Sequence, residues 1–423
     1  MDSVETLIVG AGITGLATAA ALTEKKRACM VIEADTSIGG YCKTVRQDGF
    51  VWDYSGHFFH FKHADIEAWL RERMPGQDIR TVVKKSFIAY GDRWIDFPFQ
   101  KNIHQLPQAE LVDCVYDLYF AQEQYPHASN FKEMLYARLG KSIAEKFLVP
   151  YNEKLYACDL ATLDEEAMGR FFPHANVADI IRNMKVPDNS SYNSSFTYPQ
   201  GGAVEYVNAI ARAIAPDSIH ISEGLVSVDT KARVATTTKR TVRYERLVSS
   251  MPLPRLCIMA DVEHDARAWS WNKVLVFNMG FDAKGPPNVH WLYVPERGIS
   301  FYRVGFYDNI FDADRMSLYV EVGLARDAHV DAAFVETMRT RVLEDLRRVG
   351  IVTTQKLVSH HSVAMDPAYV HITKRSMAEH AHVAGVLRER GVHSVGRYGR
   401  WTYCSIEDNI VEARDLVASF DKG

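Results

Sequence analysis

An α/β fold organised on a parallel sheet, with a second region inserted into it, is what the sequence predicts, and three features of its first forty residues predict it. Residues 6–9, Thr-Leu-Ile-Val, form the short β-branched apolar run that a buried parallel strand requires. Residues 10–15, Gly-Ala-Gly-Ile-Thr-Gly, match G-x-G-x-x-G, and an alanine-rich, helix-forming stretch follows at 16–22. A second apolar run at 28–32 then ends on an acid, Glu33.

Each of these residues has a physical reason. Gly10 permits a tight turn, and Gly12 lets the backbone approach a pyrophosphate. Gly15 allows the helix to pack closely on the strand while its N-terminal amides face the anion. Lys25 and Lys26 close the helix at its negative end. Glu33 lies 18 residues beyond Gly15, suitably placed to accept hydrogen bonds from a ribose 2′-OH. The pattern is that of a Rossmann-like unit binding an adenine dinucleotide. On these residues alone NAD and FAD fit equally, and a glycine turn without ligand is the plain alternative. The 18 uncharged residues at 6–23 approach the length of a membrane span. Their glycines, and the change from β-branched to alanine-rich composition, favour strand, turn and helix, so no membrane insertion is expected.

The chain has 423 residues, 47% hydrophobic and 24% charged, the composition of an ordinary globular protein with two or three domains. Lys plus Arg number 49 against 53 for Asp plus Glu, so no global positive field exists to hold nucleic acid. Cysteines 29, 42, 114, 158, 257 and 404 form no C-x-x-C pair and are read as scattered, reduced thiols. His57, His60 and His63 have a three-residue spacing, but Gly56 and the aromatic neighbours disfavour a helix, and no metal is expected. Residues 1–5 lack the positive region of a secretory signal, which suggests a cytoplasmic protein.

Beyond residue 40 the reading is mixed α/β without repeats. A strand at 49–54 precedes a helix at 66–74 with Asp65 as N-cap. Runs 87–90 and 93–97 alternate around Gly91-Asp92 as a hairpin. Residues 108–170 are helix-rich, and Ser142-Ile143-Ala144-Glu145 fits a capping box. Gly201-Gly202 precedes a helix at 204–215, with strands at 219–228, 233–238 and 242–249. A β-sheet region at 272–323, a helix at 332–349 and a final strand and helix within 393–420 complete the chain.

Glu33 through Gly39-Gly40 resembles the acid and glycine-pair signature of the FAD-dependent amine oxidase and protoporphyrinogen oxidase superfamily, whose glycines make room beside FAD. Further segments resemble, in order, the UDP-galactopyranose mutase family. They are Ser55-Gly56-His57-Phe58-Phe59-His60, Phe97-Pro98-Phe99-Gln100-Lys101-Asn102-Ile103, Pro150-Tyr151-Asn152-Glu153-Lys154-Leu155-Tyr156, Phe301-Tyr302-Arg303 and residues 396–403.

That resemblance implies a glutathione-reductase-like FAD-binding domain with an inserted helical and β-sheet substrate domain. The expected division is 1–75, 201–262 and 386–423 for the cofactor, with 76–200 mainly helical and 263–385 sheet and helix for the substrate. It implies a nucleotide-sugar mutase that interconverts pyranose and furanose forms of a UDP-sugar. Reduced FAD would attack the anomeric carbon through N5, UDP would leave, and the sugar would reclose through O4. NAD(P)H is the implied electron donor, and a homo-oligomer is compatible with the family.

By the same resemblance Gly10, Gly12, Gly15, Glu33, Gly39, Gly40, Gly56, Gly396 and Arg397 would hold the cofactor. His57 would lie beside the flavin, while Arg170 and Arg303 would neutralise the diphosphate. Phe97, Gln100, Phe147, Asn152, Tyr156, Tyr302 and Tyr403 would line the substrate site. Bland alternatives stand beside these roles. His57 also fits a satisfied core histidine, Arg170 an ion pair with Glu165 or Glu166, and Arg303 a buried carboxylate partner. Phe147, Tyr302, Tyr398 and Tyr403 also fit core aromatics.

Three departures bear on substrate. Phe97 stands where the family commonly has tyrosine, Tyr156 where it has tryptophan, and Glu407 lies where it has a glycine-asparagine pair. A true FAD-dependent oxidase of amines or small molecules is the rival reading, and a non-catalytic dinucleotide-binding regulator the third.

Overall fold

The β-branched run opens strand Asp2–Val9, whose last four residues are buried. In the computed structural model, which describes residues 1–167, 177–186 and 194–421, this strand pairs in parallel with Cys29–Ile32 and with Thr241–Ser249. Leu225–Asp229 and Val234–Thr237 extend the sheet at one edge and Ile219–His220 at the other. Val392–Ser394 joins in parallel beside the end of Thr241–Ser249. Helix Ile13–Glu24 has ten of its twelve residues buried, as expected of a helix that is apolar all round. It is enclosed by Val207 and Ile210 of helix Val204–Ala211 and by Ile410, Ala413 and Val417 of helix Ile406–Ser419.

A second seven-stranded sheet runs in the order Leu357–Met365, Lys273–Phe281, Ser317–Leu324, Arg303–Phe306, Trp291–Tyr293, Ser86–Tyr90 and Arg93–Asp96. Trp291–Tyr293 pairs in parallel with Ser86–Tyr90, and every other pairing in this sheet is antiparallel. The two faces of Lys273–Phe281 serve different cores. Leu275, Phe277 and Met279 pack with Val342 and Leu346 of helix Ala332–Arg348, while Val274 and Val276 meet Trp52, Phe58 and Tyr319.

Strand Phe50–Asp53 pairs antiparallel with Thr44–Gln47 in a separate two-stranded sheet and is tied to the second large sheet by side-chain hydrogen bonds. Its end residue, Asp53, is fully buried and accepts hydrogen bonds from Thr44 Oγ1 (2.6 Å), Tyr198 Oη (2.7 Å) and the Ala203 amide (2.9 Å). Trp52 Nε1 donates to Ser317 Oγ at 2.9 Å, and Asn278 Nδ2 to the Asp53 carbonyl at 2.9 Å.

Several local expectations are corrected. The helix expected at 66–74 is Ala64–Glu72, and its N-cap is His63, without a side-chain cap; Asp65 pairs with Arg414 at 2.8 Å. The amides of Lys62 and His63 donate instead to Glu407. Ser142 forms no capping box, because its amide and hydroxyl both donate to Asp117 Oδ2, at 2.8 and 2.6 Å. The strand expected at 219–228 is broken into two, with Ser222 at φ 53° between them. Strand Leu357–Met365 and helix Lys374–Glu389 were not anticipated. No helix among the described residues is long and apolar enough to cross a membrane.

Removing the Asp53 carboxylate strands three donors in a buried place. Asp53→Ala is expected to cost about 3 kcal/mol of stability, measured by urea unfolding. Burial also pushes Asp53 and Asp308 up to about 6. A carboxyl raised above its unfolded value of about 4 stabilises the fold fully below that value, and the contribution is lost as pH rises through about 6. Asp53→Asn, uncharged throughout, should therefore lose less melting temperature than the parent between about pH 5 and about pH 7.5.

Candidate functional site

The glycine turn is built on missing side chains. Gly10 has φ +101° and donates its amide to the Ile32 carbonyl at 2.8 Å. A Cβ on Gly15 would lie 1.9 Å from the Gly10 carbonyl oxygen, so only glycine lets the helix sit this close to the strand. Gly39, at φ +118°, donates to the Ala11 carbonyl at 2.8 Å, and a Cβ on Gly40 would come 3.4 Å from Gly12 Cα. Segment 39–40 thus lies directly across the turn. Glu33 is locked in place, with its carboxylate accepting the Ala11 amide at 2.7 Å and the Asp35 amide at 2.9 Å.

Gly10, Gly12, Glu33, Gly39 and Gly40 line one cavity of about 840 Å³. Its volume suits an extended cofactor. The first turn of helix Ile13–Glu24 opens on it with no side chain capping its amides, so the donor set suits a diphosphate. The residues present therefore fit a dinucleotide.

A smaller cavity of about 230 Å³ adjoins it, and Tyr41, His57, Arg397, Tyr398, Cys404 and Ile406 line both. His57 Nδ1 lies 3.1 Å from the Ser55 carbonyl, which accepts its proton. Burial, reinforced by Arg397, pushes the His57 ring down to about 4, so it is neutral near pH 7 and keeps a lone pair on Nε2. His60 and His63 turn to other partners, the Ser195 carbonyl and Glu407. Among the described residues no group of three His, Cys, Asp or Glu side chains is arranged to hold a metal.

Three cations line the smaller cavity: Lys84, Arg303 and Arg397. Arg303 is spoken for. Its Nε and Nη2 donate to the two oxygens of buried Glu321 at 2.6 and 2.9 Å, and Ser55 Oγ donates to the same carboxylate. Burial disfavours the Arg303 charge, but Glu321 and the nearby tyrosines outweigh it and hold the guanidinium well above its ordinary value. Lys84 has no carboxylate partner among the described residues. Its ammonium lies 5.0 Å from the Phe97 ring centroid and 5.9 Å from that of Trp291, and burial, then Arg303, push it down to about 8.

Other anticipated residues are placed differently. Gly56 lines the smaller cavity, yet its lack of a side chain accommodates Tyr319, whose hydroxyl would lie 2.2 Å from a Cβ there. Gly396, at φ +78°, lines neither cavity; it lets its turn approach Thr14, whose Oγ1 would lie 2.5 Å from a Cβ. Tyr403 lines the smaller cavity and stacks on Tyr369 with centroids 5.8 Å apart, and Tyr156 stands behind Tyr369 at 6.2 Å. Phe97 sits against Tyr293 at 5.0 Å. Phe147 stacks on Tyr151 within the helical core, Asn152 Nδ2 donates to the Leu148 carbonyl, and Gln100 is fully buried. Tyr302, at the bend that precedes strand Arg303–Phe306, packs into that core, with the Arg303 guanidinium 5.9 Å from its ring centroid. Arg170 lies outside the described residues. Glu407 reaches the cavity lining, but its carboxylate is held by the Lys62 and His63 amides at 2.9 to 3.1 Å. Lys84, Tyr41, Tyr293 and Tyr369 were not anticipated; none belongs to a motif, and only the fold brings them to the cavity.

A family model described as flavin containing amine oxidoreductase matches residues 13–410. A curated relative, an inactive all-trans-retinol 13,14-reductase from Danio rerio, is 38% identical over 52 residues, which are 12% of this chain and 9% of that protein. Among solved structures, reduced UDP-galactopyranose mutase superposes with a TM-score of 0.89 at 24% identity, covering 99% of this chain and 93% of that one. Cyclohexylamine oxidase from Brevibacterium oxydans IH-35A gives a TM-score of 0.71 at 15% identity over 98% of both chains. Both structural likenesses are likenesses of fold.

Gly15→Ala sets a methyl group against the Gly10 carbonyl and should displace the helix from the strand. The variant is expected to purify without bound FAD, read from visible absorbance, while retaining far-UV circular dichroism close to that of the parent.

Proposed function

Because the chain belongs to the flavin containing amine oxidoreductase family, we propose that it is an FAD-dependent nucleotide-sugar mutase, interconverting pyranose and furanose forms of a UDP-sugar such as UDP-galactose. The observation that carries this reading is the charge of the smaller cavity. Lys84 reaches it without a carboxylate partner among the described residues, Arg303 is matched by Glu321, and Glu407 is occupied by backbone amides. That balance suits a diphosphate and opposes a protonated amine. The likeness of fold to reduced UDP-galactopyranose mutase supports the same choice.

In this reading FAD, once bound and reduced, would supply nucleophilic chemistry toward the anomeric carbon. The protein's part is positional and electrostatic. Lys84, which lines the smaller cavity alone, would hold the nucleotide diphosphate as it leaves and returns, keeping it available for the reverse bond. The Arg303–Glu321 pair, anchored by Ser55, would fix the cavity wall. Neutral His57 would offer its Nε2 lone pair to a sugar hydroxyl or to a flavin N–H. Tyr41, Tyr369 and Tyr403 would exclude water from the opened sugar. The same tyrosines, together with the family model, favour an amine or small-molecule oxidase as the second reading.

Anaerobic incubation of the dithionite-reduced protein with UDP-galactose should yield a same-mass isomer on chromatography, and the oxidised protein should yield none. Oxygen-dependent turnover of an amine without any nucleotide would replace the mutase reading by the oxidase. Lys84→Met should weaken UDP binding by about tenfold or more, for a charge-assisted contact of ~1.5–3 kcal/mol. The parent's affinity should fall as pH rises through about 8, where the Lys84 ammonium loses its proton, and Lys84→Met should lack that fall.

A further inference from the structure

Arg397 is a buried cation whose counter-charge is not supplied by the described residues. Among the described residues no carboxylate lies within ion-pair distance, its Nε is buried without an acceptor, and the side-chain hydrogen bond it makes is a long one, from Nη2 to the Ala368 carbonyl at 3.4 Å. Its Cζ lies 4.6, 5.1 and 5.9 Å from the ring centroids of Tyr403, Tyr369 and Tyr398. Ring faces offset only part of the cost of desolvating a guanidinium, so a ligand carrying negative charge is needed. Position narrows the ligand. Lys84 and Arg303 line the smaller cavity alone and Arg255 the larger alone, whereas Arg397 lines both. It therefore stands where the dinucleotide cavity meets the reaction cavity, the place for the redox-active end of a flavin dinucleotide. Arg397 also sits on the turn Gly396–Gly399, which Gly396 seats against Thr14 on the helix behind the glycine turn.

We infer that Arg397 is the electrostatic counterpart of the reduced flavin ring, favouring reduced over oxidised FAD in the resting protein. Reduction by a two-electron donor such as dithionite, or a reduced nicotinamide, brings two electrons and one proton to the ring. The reduced ring then carries one more negative charge than the oxidised one, and a fixed guanidinium beside it offsets that charge. Three tyrosine rings hold Arg397 in place, so the offset needs no rearrangement on reduction. The inference rests on the FAD reading and is independent of the sugar.

Apoprotein of the parent, R397Q and R397K is titrated with FAD under oxidising and under reducing anaerobic conditions, without substrate. R397Q should lose at least tenfold more affinity for reduced than for oxidised FAD, which corresponds to a midpoint potential lower by about 30 mV for a two-electron couple. R397K, which keeps the charge, should stay within about threefold of the parent's ratio. Equal losses for the two redox states in R397Q would overturn the assignment, even if both affinities fall. Failure of the parent to bind FAD would overturn the cofactor reading itself. Should R397Q not fold, a sulfite titration of the oxidised parent decides. Sulfite adds through sulfur to flavin N5 and leaves its negative charge on the ring, so reversible bleaching near the main visible band supports the inference, and no bleaching at millimolar sulfite overturns it.

Discussion

The absence of side-chain volume between strand Asp2–Val9, helix Ile13–Glu24 and the segment at 39–40 is the constraint on which the rest of the structure depends. Backbone meets backbone there, at Gly10 with Gly15 and at Gly12 with Gly40. The helix can then lie against the strand with amides free at its N-terminus. Everything that later packs on that helix inherits its position. Gly396 seats the C-terminal turn against Thr14, and Thr14 Oγ1 donates to Asn409 Oδ1 at 2.9 Å, fixing helix Ile406–Ser419 across it. The cofactor cavity is thus a product of three chain segments held by close backbone approach, not of a single motif.

The smaller cavity depends on a different kind of constraint. Residues 50–57 run against the second sheet, and buried polar groups hold Trp52, Asp53 and Ser55 in place there. Asp53 gathers a threonine, a tyrosine and a backbone amide, Trp52 reaches Ser317, and Ser55 reaches Glu321. These bonds are directional where apolar packing is not, so they set the angle at which His57 meets the second sheet. Arg303 is drawn into the same network through Glu321, which explains why one cation of the cavity is neutralised while two others are not.

What was legible in the sequence was local. The strand, glycine turn and helix read correctly because each depends on neighbours a few residues away. Signals that depend on distant partners misled. Asp65 and Ser142 had the composition of caps, but Arg414 and Asp117 claim them from other elements. Glu407 looked like a charge added to the site and is largely occupied as an acceptor for two amides more than 340 residues away. Tyr302 and Arg303 belong to one motif, yet Arg303 lines the cavity while Tyr302 packs into the helical core. Lys84 carried no signal at all, since its importance arises from Phe97, Trp291 and Arg303 converging on it.

The pairing of Thr14 with Asn409 sets an order in time. The two residues lie 395 positions apart, and the last helix closes over the first. A ribosome adding ~5–20 residues per second needs roughly 20–80 s to travel that distance. Throughout that interval the apolar face of helix Ile13–Glu24 lacks its final cover, and the wall contributed by Arg397, Cys404 and Ile406 does not yet exist. The larger cavity is therefore complete only once the last thirty or so residues of the described chain have been made and packed.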